Sequence, residues 1–93
     1  MSQKILLFSC DDEVIGRAAE ICDQNGGQLI YARTDDPTRI RRVIRHNEGL
    51  PVFLDTSEAT HTELRDRGVT IRHVIAADSE GFWENDLVSA LRD

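Results

Sequence analysis

Two hydrophobic periods alternate along this chain, and that alternation restricts its possible folds more than any single residue does. Lys4–Ser9 holds the run Ile5-Leu6-Leu7-Phe8, bounded by polar residues, which reads as a short strand buried on both faces. Asp11 or Asp12 then supplies a helix N-cap, with acids well placed for the helix dipole. Val14, Ile15, Ala18, Ile21 and Cys22 follow at helical spacing until Asn25-Gly26-Gly27 ends the helix. Gln28–Ala32 reads as a second strand. Asp36-Pro37 opens a second helix, with proline where a missing N–H costs nothing. Ile40, Val43 and Ile44 form its apolar face, and Asn47-Glu48-Gly49 closes it. A third strand is expected over residues 50–54, ending at Asp55-Thr56. Ser57 caps a weaker helix that runs to Asp66 and is stopped by Gly68. Residues 69–76 read as a fourth strand, and Trp83, Leu87, Val88 and Leu91 give a last amphipathic helix.

Strands separated by helices call for a parallel sheet covered on both faces. Right-handed crossovers leave few topologies, and the expected one is flavodoxin-like, four strands in the order 2-1-3-4. The Asn25-Gly26 pair follows a helical pattern, so it reads as a helix end and not as a hairpin turn. In such a sheet the functional edge lies at the carboxyl ends of the strands. The residues delivered there are Cys10, Asp11, Asp12 and Glu13 after the first strand, and Asp55 and Thr56 after the third.

With 93 residues, 40% hydrophobic and 30% charged, the chain is expected to form one globular domain over residues 1–93. No apolar run approaches the roughly 20 residues that a membrane span needs. The opening apolar run is too short for a signal-peptide core, so a cytoplasmic location is expected. Seventeen acids against eleven bases give a net charge of −6, which disfavours direct nucleic-acid binding by this domain. Cys10 and Cys22 fit neither a disulfide framework nor a CxxC motif. Cys22 falls within an apolar helical pattern and reads as a small buried hydrophobe. Cys10 stands where a nucleophile could, but Asp11, Asp12 and Glu13 beside it repel the anion that a thiolate would be. A cysteine phosphatase would also want Arg at position 16, which is Gly, and Arg17 is one residue too far.

Carboxylates converging at a strand edge can hold Mg²⁺, and an Asp beside the metal can accept a phosphoryl group. Residues 4–13, which end in Cys10-Asp11-Asp12-Glu13, together with Pro51-Val52-Phe53-Leu54-Asp55, resemble the receiver domain of two-component response regulators. In that family an acidic pair follows the first strand and the phosphoryl-accepting Asp ends the third. The resemblance implies Asp55 as phosphoacceptor and Asp11, Asp12 and Asp55 as Mg²⁺ ligands. It covers roughly residues 3–56. The rest departs from the pattern: the chain is one strand–helix unit short, and Asp78-Ser79 stands where the family has Lys. Lys4, the only lysine, lies at the opposite end of the sheet and cannot substitute. The family's Lys pairs with the phosphoryl oxygens, whereas Asp78 adds negative charge where a dianion would sit.

Two readings of Asp55 therefore stand side by side. It accepts phosphate with Mg²⁺, or it is a polar strand end that caps the helix starting near Ser57. Arg39, Arg41, Arg42 and Arg45 spread over one side of the second helix, opposite Ile40, Val43 and Ile44. They are either a docking face for an acidic partner or a solvated face paired with Asp35, Asp36 and Glu48. His46, His61 and His73 show no ligand spacing, and Trp83 with Phe82 is expected to anchor the last helix.

The leading expectation is a non-enzymatic, receiver-like signalling module, a pseudo-receiver that acts through protein–protein interaction with no cofactor. Its partner would be another protein or a parent regulator chain, and an exposed edge strand favours a homodimer. The alternatives are a conventional Mg²⁺-dependent receiver phosphorylated on Asp55, and a phosphocarrier. The second resembles the small IIB components of sugar phosphotransferase systems, which also place a Cys after the first strand, as Cys10 stands here.

Overall fold

The computed structural model describes residues 3–78 and 80–92. Its elements are β1 (Lys4–Ser9), α1 (Asp12–Gln24), β2 (Gln28–Ala32), α2 (Pro37–Arg45), β3 (Val52–Asp55), α3 (Glu58–Asp66), β4 (His73–Val74) and α4 (Trp83–Arg92), with one 3-10 turn over Ile75–Ala77 before α4. The strands form one parallel sheet in the order β2-β1-β3-β4, a flavodoxin-like α/β fold. The expected topology is the observed one.

β1 sits at the centre because it is apolar on both faces, and Ile5, Leu6, Leu7 and Phe8 are at most 1% exposed. The two-residue period of the strands divides the core into two layers. Ile5, Leu7 and Phe53 point to α1 and α4, where they meet Ile15, Ile21, Trp83 and Leu87. Leu6, Phe8, Val52 and Leu54 point to α2 and α3, where they meet Ile40 and Leu64. The first three helices each start with a side chain suited to the role. Asp11, Asp36 and Ser57 cap α1, α2 and α3 by accepting from the amides of Glu13, Thr38 and Thr60. Gly26, Gly49 and Gly68 follow the helices with positive φ, the backbone that favours glycine as chain reversal begins.

One element departs from expectation. Residues 69–76 do not form a continuous strand, and only His73–Val74 pairs with β3. A continuous strand would send Val69, Ile71, His73 and Ile75 to one face. Instead Val69 and Ile71 pack with the α2–α3 layer, while Ile75 lies in the α1–α4 layer and His73 stacks on Phe53. The chain changes faces around Arg72, whose amide still donates to the Val52 carbonyl at 2.9 Å. Trp83 is buried and anchors α4, but Phe82 is 56% exposed and does not share that role.

Candidate functional site

β1 and β3 are adjacent and parallel, with Ser9 and Asp55 as register partners. Ser9 is fully buried. Its hydroxyl donates to Asp55 Oδ2 at 2.7 Å and accepts from the Asp11 amide at 3.0 Å. A hydroxyl has one proton to give, so Asp55 receives the only one Ser9 has. The Asp11 carboxylate in turn accepts from the Glu13 amide at 2.9 Å, the first cap of α1. Asp12 faces outward and pairs with Arg33 from the end of β2. The structure thus brings Asp55 next to the start of α1 but engages each of the three acids separately. Among the described residues no group of three His, Cys, Asp or Glu side chains is placed to hold a metal ion.

Asp55 does not cap α3, which corrects the structural alternative drawn from the sequence. Ser57 is the cap, with its Oγ 3.3 Å from the Thr60 amide. Asp35, in the β2–α2 loop and expected from the sequence to pair with the α2 arginines, instead accepts from the Ser57 amide at 3.2 Å, and its carbonyl accepts from Thr60 Oγ1 at 2.8 Å. Sequence reasoning misses this tie because the partners are 22 and 25 residues apart. Thr56, next to Asp55, is 7% exposed, and its buried hydroxyl has no hydrogen-bond partner among the described residues.

Cys10 is an exposed free thiol on the loop after β1, and Cys22 is buried in α1 as expected, where burial pushes its thiol up. Asp78 has a structural role. Its Oδ2 lies 2.8 Å from His73 Nε2, and His73 Nδ1 lies 3.2 Å from Asp86 Oδ2 on α4. Arg72 Nε completes the cluster at 3.2 Å from Asp86 Oδ1. Enclosure works against charge on Asp78, but the His73 side chain and the Phe82 and Trp83 amides outweigh it and hold its carboxyl below the usual carboxylate range. Asp78 therefore fastens β4 to the start of α4. Ser79, the other half of the Asp78-Ser79 pair singled out in the sequence, lies outside the described residues.

The pairing of the α2 arginines with Asp35, Asp36 and Glu48, one of the two sequence readings, is not seen among the described residues. Among the described residues none of Arg39, Arg41, Arg42 and Arg45 forms an ion pair. Asp35 and Asp36 are engaged with Ser57 and Thr38 instead. The stripe also divides: Arg41 and Arg45 line a groove at the amino end of the sheet, and Arg39 and Arg42 do not. His46 is exposed on the turn after α2, His61 lies on α3 and His73 on β4, so the three histidines stay apart.

No protein-family model matches the chain, and no curated protein matches it. Among solved structures, a de novo designed Rossmann fold protein is similar over 95% of this chain and 99% of that one, with 17% sequence identity and a TM-score of 0.46. Among the described residues no helix is long and apolar enough to cross a membrane.

Proposed function

We propose that this chain is a receiver-like signalling module that acts by binding a protein partner and does not accept a phosphoryl group. The observation that carries this reading is the engagement of the acidic edge. Asp55 accepts from Ser9, Asp11 caps α1, and Asp12 pairs with Arg33. A phosphoacceptor site needs these carboxylates turned together onto a cation, and it needs a cationic partner for the phosphoryl oxygens. At the position matched to that partner the chain has Asp78, which holds His73 and α4.

Intact-mass measurement after incubation with a small phosphodonor and Mg²⁺ tests the reading. The expected outcome is no gain in mass. A stoichiometric gain of one phosphoryl group that Asp55→Asn removes would overturn it in favour of a conventional receiver. The exposure of Cys10 favours a second reading, the phosphocarrier. A gain that survives Asp55→Asn but disappears in Cys10→Ser would establish that one instead.

A further inference from the structure

At the amino end of the sheet, the C-terminal ends of α2 and α3 and the start of β3 enclose an open groove of about 800 Å³. That volume lies within the roughly 300–1,000 Å³ typical of ligand sites. Four arginines line it: Arg41 and Arg45 from α2, Arg67 after α3, and Arg72 before β4. Among the described residues Glu48 is the single acid of the lining. Arg67 pairs with Glu63 at 2.8 Å and Arg72 with Asp86 at 3.2 Å, whereas Arg41 and Arg45 have no ion pair among the described residues. The rest of the lining is largely apolar and includes Ile44, Leu50, Pro51 and Val69. A basic groove with an apolar floor stands out in a chain of net charge −6.

We infer that this groove binds an acidic segment of a partner protein that carries aliphatic side chains between its carboxylates. Arginine forks pair with carboxylates in two-point geometry, and here they flank apolar surface able to take a side chain. Charge complementarity singles out an anionic occupant, and the floor favours one with apolar groups over a bare phosphate. Single-stranded nucleic acid is bound through aromatic platforms, and among the described residues no Phe, Tyr or Trp lines the groove. The two helix C-termini bring partial negative charge to the groove and disfavour a small, concentrated dianion. An extended peptide spreads its charge along both walls and meets that field less sharply. The exposed pair of Arg67 with Glu63 can exchange for a carboxylate of the ligand.

The inference rests on the binding-module reading and names its surface. The test is fluorescence anisotropy of the full chain with a labelled peptide of alternating Glu and Leu. A Glu/Ser peptide of equal charge, an oligothymidylate of equal charge and inorganic phosphate serve as comparisons. The expected result is saturable binding of the Glu/Leu peptide that weakens with salt and is at least about tenfold tighter than the Glu/Ser peptide. Arg41→Gln with Arg45→Gln should weaken it about tenfold or more, while Arg39→Gln with Arg42→Gln, on the same helix outside the groove, should change it less than about twofold. Circular dichroism of both variants checks their folding. No binding at millimolar peptide, equal loss in the two double variants, or tighter binding of the oligothymidylate or phosphate would overturn the inference. A phosphorylated Asp55 with peptide binding intact would instead overturn the reading of the acidic edge and leave the groove standing.

Discussion

At the carboxyl end of the sheet Asp11, Asp35, Asp36 and Asp55 all accept hydrogen bonds from the protein itself, while at the amino end Arg41 and Arg45 line an open groove and have no ion pair among the described residues. The parallel architecture accounts for much of this sorting. Every helix of a β-α-β unit starts at the carboxyl end of a strand and finishes near the amino end of the next. Acids are favoured at the first kind of site and bases at the second, because of the helix dipole. Thus Asp12, Glu13 and Glu58 open α1 and α3, whereas Arg42 and Arg45 close α2 and Arg65 closes α3. An acidic carboxyl edge is therefore partly a product of helix capping in this fold. The α1 terminus, with no base in its last turn, shows that the rule is a bias and not a requirement.

If the acids serve the fold and the arginines do not, substitutions at the two ends should differ in their effect on stability. The largest effect is expected for Ser9→Ala, which takes the donor from Asp55 and leaves the Asp11 amide without its acceptor. Loss of about 1–3 kcal/mol should appear in urea unfolding. A loss below about 0.5 kcal/mol would mean that water readily replaces the hydroxyl and that the carboxyl end is less committed than its hydrogen bonds suggest.

A smaller, pH-resolved effect is expected at Asp78. Its folded-state carboxyl is held below the usual range, so its stabilisation is fully present above the unfolded value of about 3.9 and is lost as pH falls through the lower folded value. Asp78→Asn should lower the unfolding midpoint near neutral pH and reduce the drop in stability below about pH 4. Unfolding curves across that window would show it, and an unchanged acid limb would mean that other carboxylates dominate. The smallest effect is expected at the amino end, where Arg41→Gln with Arg45→Gln should shift stability by no more than about 0.5 kcal/mol in the same unfolding assay. A larger loss would make these arginines structural and erase the contrast between the two ends.

The sequence discloses the first three strands, all four helices and the sheet order because each is written locally. The Ile5-Leu6-Leu7-Phe8 run marks a doubly covered strand, and Asp36-Pro37 and Ser57 mark helix starts where the structure has them. β4 is misread because apolar content alone does not reveal which side of the sheet a residue must reach. Val69 and Ile71 read like strand residues, yet they belong to one layer and Ile75 to the other, and that division exists only once α3 and α4 are placed. The candidate site is legible by half. Asp55 and Asp11 are foreseen as neighbours, but the Ser9 hydroxyl between them is not, since a serine at a strand end has no distinguishing pattern. The groove is less legible still: Arg41 and Arg45 stand out on one helix, but Arg67 and Arg72 join them only through the packing of α2 beside α3.

The hydrogen bond from Ser9 to Asp55 also acts as a check on strand alignment. The two residues are opposite each other in the β1–β3 ladder, with Phe8 paired to Leu54 and Leu7 to Phe53. A slip of β3 by one residue would turn Val52 and Leu54 to the wrong layer and carry Phe53 with them. It would also move Asp55 either away from its only hydroxyl donor on β1 or against the buried Phe8 position, where a carboxylate finds no proton to accept. Three of the four residues of β3 are buried apolar side chains that select its register, and the paired serine and aspartate add a polar penalty against the neighbouring ones. The chain thus carries at its acidic edge a polar register mark: a misaligned β3 leaves the Asp55 carboxylate without the Ser9 proton.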